Sequence, residues 1–240
     1  ENLSRTLGQE LYERTLGTPR FSPTRVAVMC EFAKEIFETK GKILGMDVAL
    51  KDVEVAGQPI FESIDPVMKT QPTHDLIADR RGKPTLLWAQ EGGTADDRAI
   101  KELLAQWQAH SDAFNFVIKV HPNMTAAEVS EILRPFDLTR KNTRVIHKEL
   151  DPNITLWNSD ILVAQESTML AQAVYIGRPV LVMDPQDFRK DSAYVRMGVG
   201  RFIKSAGDLE RLTLALSKPD SKESLELKAA RTQANFRTNG

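Results

Sequence analysis

Apolar residues in this chain keep two rhythms that take turns along its length. Short, largely apolar runs occupy positions 25–29, 53–56, 85–89, 114–120, 161–163 and 179–183, with a weaker one at 144–146. Runs this short, bounded by turn residues, predict strands. Between them the spacing changes to three and four. Ile100, Leu103, Leu104 and Trp107 fall on one helical face, behind a TADD segment (94–97) able to cap it. Helices are likewise predicted over 31–40, 125–133 and 168–176, the last closed by Gly177, which tolerates positive φ. Leu209, Leu212 and Leu216 mark a late helix opened near Ser205, and an isolated helical segment, 3–16, stands at the front. Strands alternating with amphipathic helices predict βαβ units, hence an α/β fold with a Rossmann-like, doubly wound parallel sheet.

Two boundaries are expected. The stretch 63–72 carries Pro66 and Pro72 without a clear apolar period and reads as a linker. This divides the chain into 1–66, 67–216 and a polar, charged end, 217–240, suited either to a surface helix crossing back over the body or to a frayed tail.

Composition narrows the class without changing it. With 240 residues, 41% hydrophobic and 27% charged, this is an ordinary globular protein of one large or two small domains. A net charge of -1 gives no general attraction to nucleic acid, and basic runs such as Arg80-Arg81 and Arg140-Lys141 are short and read as solvated faces. The single cysteine, Cys30, excludes an internal disulfide framework and fits a reducing compartment. No apolar stretch approaches the roughly 18 residues that span a bilayer, and no signal peptide is visible. The chain opens with Glu rather than Met and is expected to be a processed or trimmed piece. His74, His110 and His147 are scattered without metal-ligand spacing, so no metal is expected.

The candidate chemistry sits at two strand endings, FVIKVHP (116–122) and ILVAQEST (161–168). Each apolar run stops at groups able to hold phosphate. In an open parallel sheet, ligands bind at the carboxyl ends of strands beside helix N-termini. If both runs share one sheet, His121 and the Ser167 and Thr168 hydroxyls converge on one anionic group. Neutral His121 can donate one hydrogen bond to a phosphoryl oxygen; protonated, it adds charge stabilisation for a departing nucleotide. Pro122 favours an extended residue before it, which aims the imidazole out of the sheet. Lys119, two residues earlier on the strand, shares a face with His121. The plainer readings are a packed histidine, a surface lysine and a helix cap.

From about residue 25 to 216 the chain resembles the back half of a GT-B glycosyltransferase. The likeness is nearest to the bacterial group of capsule polysaccharide synthases, polysialyltransferases and CDP-glycerol glycerophosphotransferases. It is carried by VAVMCEFAK (26–34) with the VAGQP turn (55–59), TLLWAQEGG (85–93), the His-Pro motif KVHP (119–122), the Ser/Thr motif at 166–168, and AVYIGRPV (173–180). The resemblance implies a donor-binding second domain after a remnant (1–66) of the acceptor-side domain. It places His121 as the catalytic group and, with Ser167, Thr168 and Lys119, on the donor phosphates. Around the sugar and nucleoside it places Gly92, Gly93, Pro122, Glu166 and Gln172. Gln172 is a departure, since related domains carry Glu there; Glu166 is a candidate replacement carboxylate. Tyr194 and Arg196 follow a segment suited to folding over the donor.

The activity so implied is transfer from a CMP-, CDP- or UDP-linked sugar or polyol phosphate to a bacterial surface polysaccharide or related glycan. It needs no cofactor or metal and takes place at the cytoplasmic face of the membrane, with the front helix in peripheral contact with lipid. No general base is identified, and reaction is not expected from this piece alone. Two alternatives stay open: an enzyme like the non-hydrolysing UDP-sugar 2-epimerases, and a non-catalytic nucleotide-binding or interaction module.

Overall fold

The computed structural model describes residues 26–28, 34, 53–56, 59–78, 82–91, 97–165, 167–183 and 192–234. Strands β1 (Val26–Val28) and β2 (Val53–Val55) pair in parallel, Val26 opposite Val53. The helix expected over 31–40 lies outside the described residues except for Lys34, which is helical, and the front segment 3–16 lies wholly outside them.

The body is a six-stranded sheet built from β3 (Thr85–Ala89), β4 (Asn115–Lys119), β5 (Thr143–Ile146), β6 (Ile161–Ala164), β7 (Val180–Met183) and β8 (Gly200–Ile203). Their order is β5-β4-β3-β6-β7-β8 and every pair is parallel. This is the doubly wound Rossmann order, reversing direction between β3 and β6. All residues of β3, β4, β6 and β7 are buried, because helices cover both faces. That is why these strands are largely apolar runs in the sequence.

Alternate residues feed two cores. Leu86 and Trp88 face one with α3 (Asp97–His110), α4 (Ala126–Leu133) and α8 (Ala206–Leu216). Leu87 and Ala89 face the other with α5 (Pro152–Trp157) and α6 (Met169–Ile176). The expected stripe Ile100, Leu103, Leu104 and Trp107 is buried in the first core, where Trp107 packs edge-on to Phe116. Thr125 and Glu128 form a capping box at the start of α4. Gly177 ends α6 with φ 85°.

The stretch expected as a linker is helical: α1 (Pro59–Glu62) and α2 (Asp65–Thr70) join the second core. Phe61 and Ile64 are fully buried, Phe61 stacked on Tyr175 at 4.6 Å, and the Tyr175 hydroxyl donates to Asp65 at 2.9 Å. Of the two prolines that suggested a linker, Pro66 stands in the first turn of α2, where a missing N–H costs nothing, and Pro72 follows the helix end at Gln71. A short helix α7 (Ala193–Arg196) precedes β8, and α9 (Lys222–Ala234) is the crossing-back helix of the two readings given to the end. It is anchored by buried Leu227 and an Arg201–Glu226 ion pair at 2.7 Å. Among the described residues no helix is long and apolar enough to cross a membrane.

Candidate functional site

The strand order decides where the two motifs meet. β3 lies between β4 and β6, with Ala89 opposite Lys119 and Trp88 opposite Val163. His121 and Ser167 therefore follow the carboxyl ends of β4 and β6, the two strands that flank β3. Both stand at the carboxyl edge, at the point where strand order reverses, which is where open α/β sheets bind ligands.

The end of β3 joins the two sides. The Gln90 N–H donates to the Lys119 carbonyl at 3.0 Å, and the His121 N–H donates to Gln90 Oε1 at 3.3 Å. On the other side, one carboxylate oxygen of Glu91 accepts from the Gln165 and Ser167 N–H groups at 3.0 and 2.6 Å. A carboxylate thus occupies donors at the entry to α6 that suit an anion. The sequence singled out Gln90 and Glu91 only as part of a glycine turn. Their placement directly after a central strand was the signal available.

His121 is half-buried, and its Nδ1 accepts from the Asn123 N–H at 3.3 Å. In the neutral ring this pattern assigns the proton to Nε2, a donor. Pro122 is exposed beside it. Ser167 Oγ accepts from the Met169 N–H at 3.3 Å, acting as a local cap. Thr168 is exposed, and its hydroxyl makes no cap bond. Gly92, Gly93 and Glu166 lie outside the described residues. Tyr194 is half-buried and Arg196 exposed on α7; the segment before them is likewise not described.

Two placements differ from expectation. Lys119 does not turn toward Ser167: it is buried, and its ammonium donates to the His147 carbonyl at the end of neighbouring β5. Burial lowers its pKa, against the raising effect of Glu149 and Asp151. Gln172 does not open to the crevice. It is buried, donating to Asn153 Oδ1 at 2.7 Å, while Asn153 donates to the carbonyl and hydroxyl of Ser63 at 3.2 Å each. A first-turn position on α6 facing α5 explains this: a neutral amide pairs there with another amide, where a carboxylate would lack a donor.

The end of β5 adds a group the sequence did not suggest. Glu149 accepts from the His147 N–H at 2.9 Å. Burial raises the Glu149 pKa, but backbone N–H groups of residues 147–149 and the Lys119 charge outweigh it, so the carboxyl lies below its ordinary value. Among the described residues, no group of three or more His, Cys, Asp or Glu side chains is placed to hold a metal.

No protein-family model matches the sequence, and no curated protein matches it either. Solved structures do match in fold. The S. aureus MnaA–UDP complex gives a TM-score of 0.61 at 14% identity, over 84% of this chain and 53% of that one. UDP-GlcNAc 2-epimerase from Neisseria meningitidis, bound to UDP-GlcNAc, gives 0.54 at 15% identity, over 90% and 56%. The wall teichoic acid polymerase TagF, soaked with CDPG, gives 0.54 at 13%, over 90% and 53%. The chain spans about half the length of these structures (53–56%). The fold they share with this chain is Rossmann-like α/β.

Proposed function

We propose that this chain is the donor-binding half of a GT-B enzyme that uses a nucleotide-activated sugar or polyol phosphate. The observation that carries the reading is the strand order, in which β4 and β6, the strands before His121 and before Ser167 and Thr168, flank β3 at the switch point of a parallel sheet. The donor phosphates lie over that end. His121 Nε2–H and the Thr168 hydroxyl donate to phosphoryl oxygens. The Gln165 and Ser167 N–H groups do so once phosphate takes the place of the Glu91 carboxylate. As the bond to the transferred group breaks, negative charge gathers on the leaving nucleotide, and His121 is the group placed to stabilise it. Lys119 holds the β5 end, and Gln172 holds α6 against α5; neither touches the donor.

The reaction is transfer to a glycan of a bacterial surface polymer, at the cytoplasmic face of the membrane, with a CMP-, CDP- or UDP-linked donor and no metal. Support comes from the motifs at 119–122 and 166–168 and from the fold shared with TagF. A second reading, a UDP-sugar 2-epimerase, is favoured by the fold similarity to a putative UDP-N-acetylglucosamine 2-epimerase from Listeria monocytogenes, at a TM-score of 0.60 against 0.54 for TagF.

The test is calorimetric titration with CMP, CDP, UMP and UDP. Binding of a cytidine or uridine nucleotide that weakens at least tenfold in His121→Ala supports the site. A protein blind to all four at millimolar concentration is a structural module instead. Binding of CDP-glycerol against UDP-GlcNAc then separates the transferase reading from the epimerase one.

A further inference from the structure

At the opposite, amino-terminal edge of the sheet lies a cavity of about 310 Å³ between the starts of β3, β6 and β7, the end of α6 and helix α9. That is within the size range of small-molecule sites. Helix α9 presents Ser224, Leu227, Lys228 and Arg231 to it, at spacings i, i+3, i+4 and i+7. A surface helix ordinarily turns apolar residues inward on that stripe; here only Leu227 is apolar, and two positions are cations.

These cations differ from their neighbours. Lys222 pairs with Glu226 at 3.9 Å, and Arg201 pairs with the same carboxylate at 2.7 Å. Neither Lys228 nor Arg231 has an ion pair among the described residues, although both reach the cavity wall. The Arg231 guanidinium lies directly over Gly177: a Cβ built there would meet its nitrogen at 1.7 Å. Two of the last carbonyls of α6 are already engaged, Ala173 and Val174 accepting from the Arg178 and Gly177 N–H groups at 2.8 and 3.1 Å. Arg178 adds a third positive group, braced by the Trp157 carbonyl at 2.6 Å and its ring at 5.6 Å. The facing carboxylate, Asp160, has Oδ2 engaged by the Thr85 N–H at 2.7 Å.

We infer that this cavity is a second binding site, taking a small phosphomonoester whose phosphate is held by Arg231 and Lys228. A guanidinium fixed against a glycine and a mobile ammonium three residues away form a planar donor and a point charge facing one space. The site stands a full strand length, roughly 15 Å, from the carboxyl edge, so it is independent of the donor reading.

The test is titration of the whole chain with glucose 1-phosphate and with inorganic phosphate, followed by calorimetry. Binding of the sugar phosphate is expected to persist in His121→Ala and to weaken at least tenfold in Lys228→Gln/Arg231→Gln. Should the double variant lose its fold by circular dichroism, Lys228→Gln alone, at an exposed position, is expected to weaken binding about threefold. A control pair, Lys218→Gln/Lys222→Gln, removes the same charge elsewhere and is expected to leave binding unchanged. Absence of binding by the wild type at 10 mM overturns the inference. So does loss in His121→Ala with retention in the double variant, or equal weakening by the control pair.

Discussion

The two edges of one sheet handle their polar groups in opposite ways. At the carboxyl edge the polar groups answer one another: Glu91 takes the Gln165 and Ser167 amides, Gln90 takes the His121 amide, and Lys119 takes the His147 carbonyl. At the amino edge, Lys228 and Arg231 line a cavity and make no ion pair among the described residues, while the one carboxylate on the same wall, Asp160, is engaged by the Thr85 N–H. A ligand at the first edge must exchange with contacts already made, whereas one at the second meets two cations, Lys228 and Arg231, that make no ion pair among the described residues. Binding at the carboxyl edge is therefore a difference between two sets of hydrogen bonds, and affinity there is set as much by what leaves as by what arrives.

The sharpest way to break this contrast is to disturb a committed pair. Gln172→Glu, which restores the carboxylate of related domains, buries an anion against the Asn153 acceptor. It should cost about 3 kcal/mol by urea unfolding at pH 8. Because the introduced carboxyl has a raised pKa when folded, the loss should shrink as pH falls toward 5. An unchanged midpoint would mean that Asn153 turns to donate and that the pair is not fixed.

At the other edge, Gly177→Ala places a Cβ at φ 85° and pushes the Arg231 guanidinium aside. The expected loss is about 2 kcal/mol, nearly all of it backbone strain. Arg231→Gln in that background should add little, because a flexible side chain can move. Strong coupling between the two would show that the guanidinium supports the helix end.

Glu91→Gln sharpens the first half of the comparison. An uncharged side chain competes less well for the two amides, so nucleotide diphosphate should bind about tenfold tighter by calorimetry, about 1.4 kcal/mol. Weaker binding would make Glu91 a support for the loop instead of a competitor.

The smallest effect concerns Glu149. Its pKa is lowered in the fold, so its contribution to stability is complete above the ordinary value of 4.5 and is lost as pH falls through the folded value. Glu149→Gln should thus be slightly less stable than wild type at pH 7, with the gap closing near pH 3 in thermal melts.

What the sequence made legible follows from burial. β3, β4, β6 and β7 were readable as short runs because both of their faces are covered. β8 escaped because it is an edge strand whose four residues include Gly200 and Arg201. The six residues of α5 are too few to show a period, and only Asp151 and Pro152 marked its start. Helix α2 was hidden by Pro66, which in fact stands in its first turn.

The site was legible in position and not in direction. Strand order brings residues 121 and 167 to one edge, as the motif spacing suggested. Where a side chain turns, however, depends on neighbours distant in sequence: His147 for Lys119, Asn153 for Gln172, Gln165 and Ser167 for Glu91. Local pattern holds no trace of such partners.

The stack of Phe61 on Tyr175 has a mechanical consequence. Helix α6 begins beside Ser167 and ends beside an aromatic ring borne by the segment that precedes the whole sheet. With Asp65 latched to the same tyrosine, that earlier segment grips the far end of α6 like a hand on a lever. Any tug on the upstream chain is delivered to the helix whose tip frames the crevice.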